Sequence, residues 1–121
     1  MGENKDYITY TDEKGNINIA EEVVAVIAAN AAADTEGVAA LSNIPGKEIQ
    51  DLWGKKGGAK GVRLVNDENG LTVDVYLLVA MGISVNKVGT AVQQNVTTAV
   101  ESTTGITVRE VNVHIGGVQL D

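Results

Sequence analysis

Two hydrophobic periods alternate along this chain. Residues 16–19, Asn-Ile-Asn-Ile, alternate polar and apolar and predict a short strand. From 20 to 34 the period lengthens: Ala20, Val23, Val24, Ile27, Ala28 and Ala31 share one helical face, and Glu21 and Glu22 fall in the first turn, where the helix dipole favours carboxylates. Residues 37–41 predict a second short strand. Residues 42–61 hold the only proline and glycines at 46, 54, 57, 58 and 61, and predict a surface excursion.

Beyond it the period returns to two. Residues 62–65 and 71–80 predict strands joined through Asn69-Gly70, a strong hairpin signal. In the longer strand Leu71, Val73, Val75, Leu77 and Val79 face one way, and Thr72, Asp74, Tyr76 and Leu78 the other. Ser84 or Asn86 can cap a second helix, with Val85, Val88, Val92, Val96, Ala99 and Val100 at helical spacing and Gly105 as its stop. The last strand spans residues 106–115. Its inward parity changes between Val108 and Val111, which predicts a bulge near Arg109 and Glu110. Residues 1–14 read as a flexible tail with a turn at Asp12-Glu13-Lys14-Gly15, and 15–121 as a single domain. The expected fold is α+β: a two-layer, mainly antiparallel sheet with two helices on one face, in the order β-α-β-β-β-α-β.

Composition narrows what such a domain can do. With no Phe and one Trp, the core must be Val, Ile, Leu and Ala, which suits close packing of helix on sheet. The absence of Cys excludes disulfides, thiolate chemistry and Cys-ligated metals. The N-terminus does not resemble a signal peptide, and the longest apolar run carries Asp74 and is too short to span a bilayer. Direct membrane insertion is therefore not expected. A net charge of −7 works against nucleic acid as a partner. Against that acidic background, residues 47–63 hold five basic residues and only Glu48 and Asp51 as acids.

Candidate chemistry is sparse. His114 is the single histidine, so a metal site built on it would need carboxylates such as Asp74, an uncommon set for zinc. Asp74 with His114, or with Glu110, could be drawn as an acid/base pair, but both also fit polar residues on a solvated sheet face. The stretch 54–61 is rich in Gly and Lys, yet lacks the phosphate-loop pattern: Ala59 stands at the second glycine and a strand follows. No catalytic, cofactor or metal site is expected. A basic loop, Trp53 with Lys55, Lys56 and Lys60, fits either a solvated excursion or an anchor for a protein or anionic ligand. The alanines of the first helix and the uncharged polar face of the second admit self-association. Gly89 inside the second helix suggests a close approach there. If both helices cover one sheet face, the opposite face carries Arg63, Val65, Asp74, Tyr76, Leu78, Asn112 and His114, the make-up of a modest protein interface. That face needs either a partner or cover from residues 1–14 or the excursion, which offer Tyr7, Tyr10 and Trp53.

Three stretches carry a resemblance. Residues 71–79 (Leu-Thr-Val-Asp-Val-Tyr-Leu-Leu-Val), the valine-spaced helix, and residues 105–118 (Gly-Ile-Thr-Val-Arg-Glu-Val-Asn-Val-His-Ile-Gly-Gly-Val) are similar to the alkaline shock, or envelope stress response, family of Gram-positive bacteria. Residues 17–20 and 36–42 follow the same order. The resemblance implies a cytoplasmic, non-enzymatic scaffold or adaptor in envelope stress, held at the membrane in some members by a small integral anchoring protein. A regulator of a lipid-synthesis enzyme, or a binder of a small anionic ligand, is the alternative. Two features depart from the family pattern. Ala80 and Met81 stand where an acidic and an aromatic residue are usual, and the second helix shows Gln93, Gln94, Asn95, Thr97 and Thr98 where charges are usual.

Overall fold

The computed structural model describes residues 7–44 and 61–120. Strands β1 (Tyr7–Asp12) and β2 (Gly15–Ala20) form an antiparallel hairpin, followed by helix α1 (Glu21–Ala33) and strand β3 (Val38–Leu41). Strands β4 (Val62–Asp67) and β5 (Gly70–Ala80), helix α2 (Val85–Thr104) and strand β6 (Val108–Gln119) complete the chain. β5 is the centre of the main sheet. One of its edges is shared end to end: β4 pairs with residues 70–75 and β3 with residues 77–79, both antiparallel. β6 lies along the other edge and runs parallel to β5, the direction that a helical crossover through α2 allows.

At the join between β3 and β4, Tyr76 carries both. Its carbonyl accepts from Ser42 N at 2.8 Å and its N–H donates to Gly61 O at 2.7 Å. Gly61 has φ +80°, and a Cβ there would lie 2.8 Å from Ser42 O and 2.9 Å from Tyr76 O, so the junction closes only around glycine.

The core lies between the sheet and the two helices. Leu71, Val73, Val75, Leu77 and Val79 from β5 meet Val24, Ala25, Ala28 and Ala32 from α1 and Val88, Val92, Val96 and Val100 from α2. Alanine on α1 lets that helix sit close to the sheet without aromatic filler. The helices are also pinned to each other: buried Thr35 donates to Ala31 O and accepts from Asn95 Nδ2 at 3.0 Å. Ser84 caps α2, accepting from Lys87 N, and Gly105 ends it in the left-handed conformation.

The α+β class, the two helices on one face, the Asn-Gly hairpin and the bulge at Arg109 agree with the sequence reading. The bulge appears as a register step from Leu71 opposite Val108 to Thr72 opposite Glu110. Four details differ. The tail reading of residues 1–14 fails from Tyr7 onward, because β1 adds a strand in which Ile8 enters the core and Tyr10 lies against Gly105. The order is thus β-β-α-β-β-β-α-β, and residues 7–12 serve the helix side and not as cover for the open sheet face. The last strand begins at Val108 and continues to Gln119, past a second irregularity at Gly116. The sheet also contains one parallel pair. Finally, among the described residues no atom outside its own helix lies within 4 Å of a Cβ built on Gly89, so none of them makes the close approach that the glycine suggested.

This gives a prediction. Gly89→Ala should stabilise the protein by about 1 kcal/mol through helix propensity alone. Thermal denaturation should show the melting temperature rising by several degrees.

Candidate functional site on the open sheet face

Turned away from the helices, the other face of the sheet is built in rows. Arg63, Asp74 and Asn112 stand side by side on β4, β5 and β6, and Tyr76 stands beside His114 in the next row. Val65 flanks Thr72 at one end, and Leu78 lies opposite Gly117 at the other. All seven residues expected on this face are on it, because strand side chains alternate and the three registers keep these positions in phase.

Asp74 is the organising group. Its side chain is only 10% exposed. Its Oδ1 accepts from Asn112 Nδ2 at 3.1 Å and faces His114 Nε2 at 3.2 Å, a geometry in which the ring N–H donates. Its Oδ2 lies 3.8 Å from Arg63 Nη2. The Asn112 amide also reaches Glu110 Oε2 at 3.4 Å, so an amide separates the two carboxylates. Next to this network the His114 and Tyr76 rings stack, with centroids 4.3 Å apart and planes 12° from parallel. Thr72, the other buried polar residue of the face, accepts from Arg109 Nη2 at 3.2 Å.

This arrangement satisfies a buried carboxylate with its neighbours on the sheet. An acid/base pair must address a nucleophile or substrate atom. Here Asp74 is engaged by three neighbours, and among the described residues no hydroxyl or amine hydrogen-bonds His114 apart from that network. Nor does any group of three or more His, Asp or Glu among them offer a metal site. The expected solvated face is corrected in one respect: Asp74 is enclosed by its donors. The basic loop of Trp53, Lys55, Lys56 and Lys60 lies outside the described residues.

Residues 9–120 match the model of the alkaline shock protein family, described by its cell envelope-related function. The chain belongs to that family. Among its relatives, YqhY of Bacillus subtilis is 36% identical over 107 residues, covering 88% of this chain and 79% of YqhY. Spy1535 of Streptococcus pyogenes is 33% identical over 109 residues, covering 89% and 82%. In fold alone, the MamM CTD M250L structure is similar, with a TM-score of 0.50 at 14% identity, covering 80% of this chain and 96% of that one. The resemblance read from residues 71–79 and 105–118 therefore holds over nearly the whole domain of this alkaline shock family member. Its function is cell envelope-related. No helix among the described residues is long and apolar enough to cross a membrane.

The Tyr76–His114 stack and the Asp74 network were only half visible in the sequence. Parity put the residues on one face, but their contact depends on β6 lying parallel and adjacent to β5, which periodicity does not report. The network makes Asp74→Ala costly: it strips the acceptor from Asn112 and His114, and about 2 kcal/mol should be lost. Asp74→Asn keeps an oxygen in place and should lose about 1 kcal/mol or less, because exposed Arg63 contributes little. Chemical denaturation of the two variants gives the comparison.

Proposed function

We propose that this chain is a non-enzymatic, cytoplasmic adaptor of the cell envelope, and that it acts by docking a protein partner on its open sheet face. The observation that carries this reading is the construction of that face. A buried, hydrogen-bonded Asp74 fixes the positions of Asn112 and His114, Arg63 stands at its rim, and beside them Tyr76, Leu78 and exposed Val65 offer apolar and aromatic surface. Protein interfaces draw most of their energy from such rigid aromatic and arginine anchors, ringed by polar groups that are already satisfied.

A partner also supplies what the chain lacks for work at the envelope. Its net charge of −7 opposes anionic lipid headgroups, so membrane association is by a protein tether. Such a tether is a small integral membrane protein whose cytoplasmic segment reaches this face.

The test places a photo-crosslinking amino acid at position 65 or 78 in cells of the native host, with position 30 on the exposed side of α1 as control. Positions 65 and 78 should give one common covalent adduct with a membrane protein, and position 30 should not. Tyr76→Ala should cut its yield about tenfold while the protein remains folded. Adduct formation equal at all three positions, or none at 65 and 78, rules this reading out.

A further inference from the structure

Among the described residues β6 pairs on one edge only, with β5, and the hydrogen bonding of β5 shows which groups point out from the other. Tyr76 directs both its N–H and its C=O to the β3 and β4 side, and Ala80 N–H bonds Gly37 O on that same side. Backbone groups alternate along a strand, so Leu71, Val73, Val75, Leu77 and Val79 are the residues of β5 that bond β6. In a parallel ladder the residue opposite a bonding residue turns its own N–H and C=O away. Val111, Val113 and Ile115, opposite Val73, Val75 and Leu77, therefore point outward, as does Val118, opposite Val79.

Helix α2 guards the start of this edge and then stops. Glu101 Oε2 accepts from Val108 N at 2.9 Å, and Gln93 Nε2 donates to Val111 O at 3.1 Å. Gln93 and Glu101 are eight residues apart on one stripe of the helix, and the next position of that stripe is Gly89. Glycine has no side chain to extend, and no described residue outside the helix occupies the space where its Cβ would stand. From Val113 onward, no described strand pairs with the outer side of β6.

The usual protections of an edge strand are missing as well. Residues 111–120 contain no Lys, Arg, Asp, Glu or Pro, and Val118 and Leu120 are 50% and 67% exposed. We propose that the occupant of this edge is β6 of a second copy, paired antiparallel about a two-fold axis, so that two sheets become one with all four helices on the same side. Charge selects a second copy. Two chains of −7 repel over most of their surface, but residues 111–120 and the adjoining helix positions Gly89, Gln93 and Thr97 carry no formal charge, so a two-fold pairing centred on that stretch, beyond Arg109 and Glu110, sets no like charges opposite each other within it. This contact is separate from the face assigned to the partner, and a symmetric pair leaves that face open on both copies.

The experiment is sedimentation of the full chain over a range of concentrations, with amide hydrogen exchange read residue by residue. Self-association should rise with concentration, and the amides of Val113, Ile115 and Val118 should become protected as it does. Val118→Pro removes an outward N–H without touching the bonds to β5, and each removal counts twice across the axis, so the dimer dissociation constant should rise at least about tenfold. Gly89→Lys, which lays a charged side chain along the edge, should do the same, while Leu78→Asp on the open face should leave dimerisation unchanged. Melting curves of the variants confirm that each is folded. A monomer at every concentration with those amides exchanging freely, or a dimer indifferent to both Val118→Pro and Gly89→Lys, overturns the proposal. A dimer lost in Leu78→Asp and kept in the two edge variants overturns it too, by moving the contact to the sheet face.

Discussion

Burial of one face of β5 holds this structure together. Leu71, Val73, Val75, Leu77 and Val79 are essentially removed from water. At about 1.5–3 kcal/mol for each such side chain, no other strand contributes comparably. Because the strand period is two, a slip of one residue in register would carry Asp74 into the helix layer and the valines into water. That asymmetry fixes the register of both neighbouring edges, and with it the row of Arg63, Asp74 and Asn112. The chemistry of the open face is thus set by packing on the hidden one.

Much of this was legible because the signals are local. The valine spacing of α2, the Glu21 and Glu22 start of α1, the turn at Asn69-Gly70 and the parity change around Arg109 each depend on neighbours within a few residues. β1 was missed although Tyr7-Ile8-Thr9-Tyr10-Thr11 is made of strand formers with Ile8 and Tyr10 at one parity, because the alternation is short, five of its six residues are exposed and a polar stretch precedes it. Gly89 showed that a glycine interrupts a helix, but not what lay beside it; no described residue outside the helix does. The seven residues of the candidate face were assigned from parity alone, yet the hydrogen bond between Asp74 and His114 spans forty positions and rests on a parallel crossover. Periodicity carries no information about strand direction.

Small residues decide where elements meet. Ala25, Ala28, Ala29 and Ala32 bring α1 down on the sheet, and Gly105 leaves room for the Tyr10 ring, which joins the hairpin to the end of α2. With no phenylalanine available, close approach replaces bulk, and specificity comes from polar pins such as the Thr35 to Asn95 bond. The result is a thin, two-layer protein with one tightly packed interior face and one exterior face ordered by hydrogen bonds.

The double attachment at Tyr76 has a consequence for how sequences of this family can vary. The chain leaves the sheet after Ser42 and rejoins it at Gly61, and both points are tied to the backbone of that one residue. Gly61 is therefore a position with little freedom to vary, since a Cβ there would meet the backbone oxygens of both Ser42 and Tyr76, and loss of that junction would loosen β3 and β4 together.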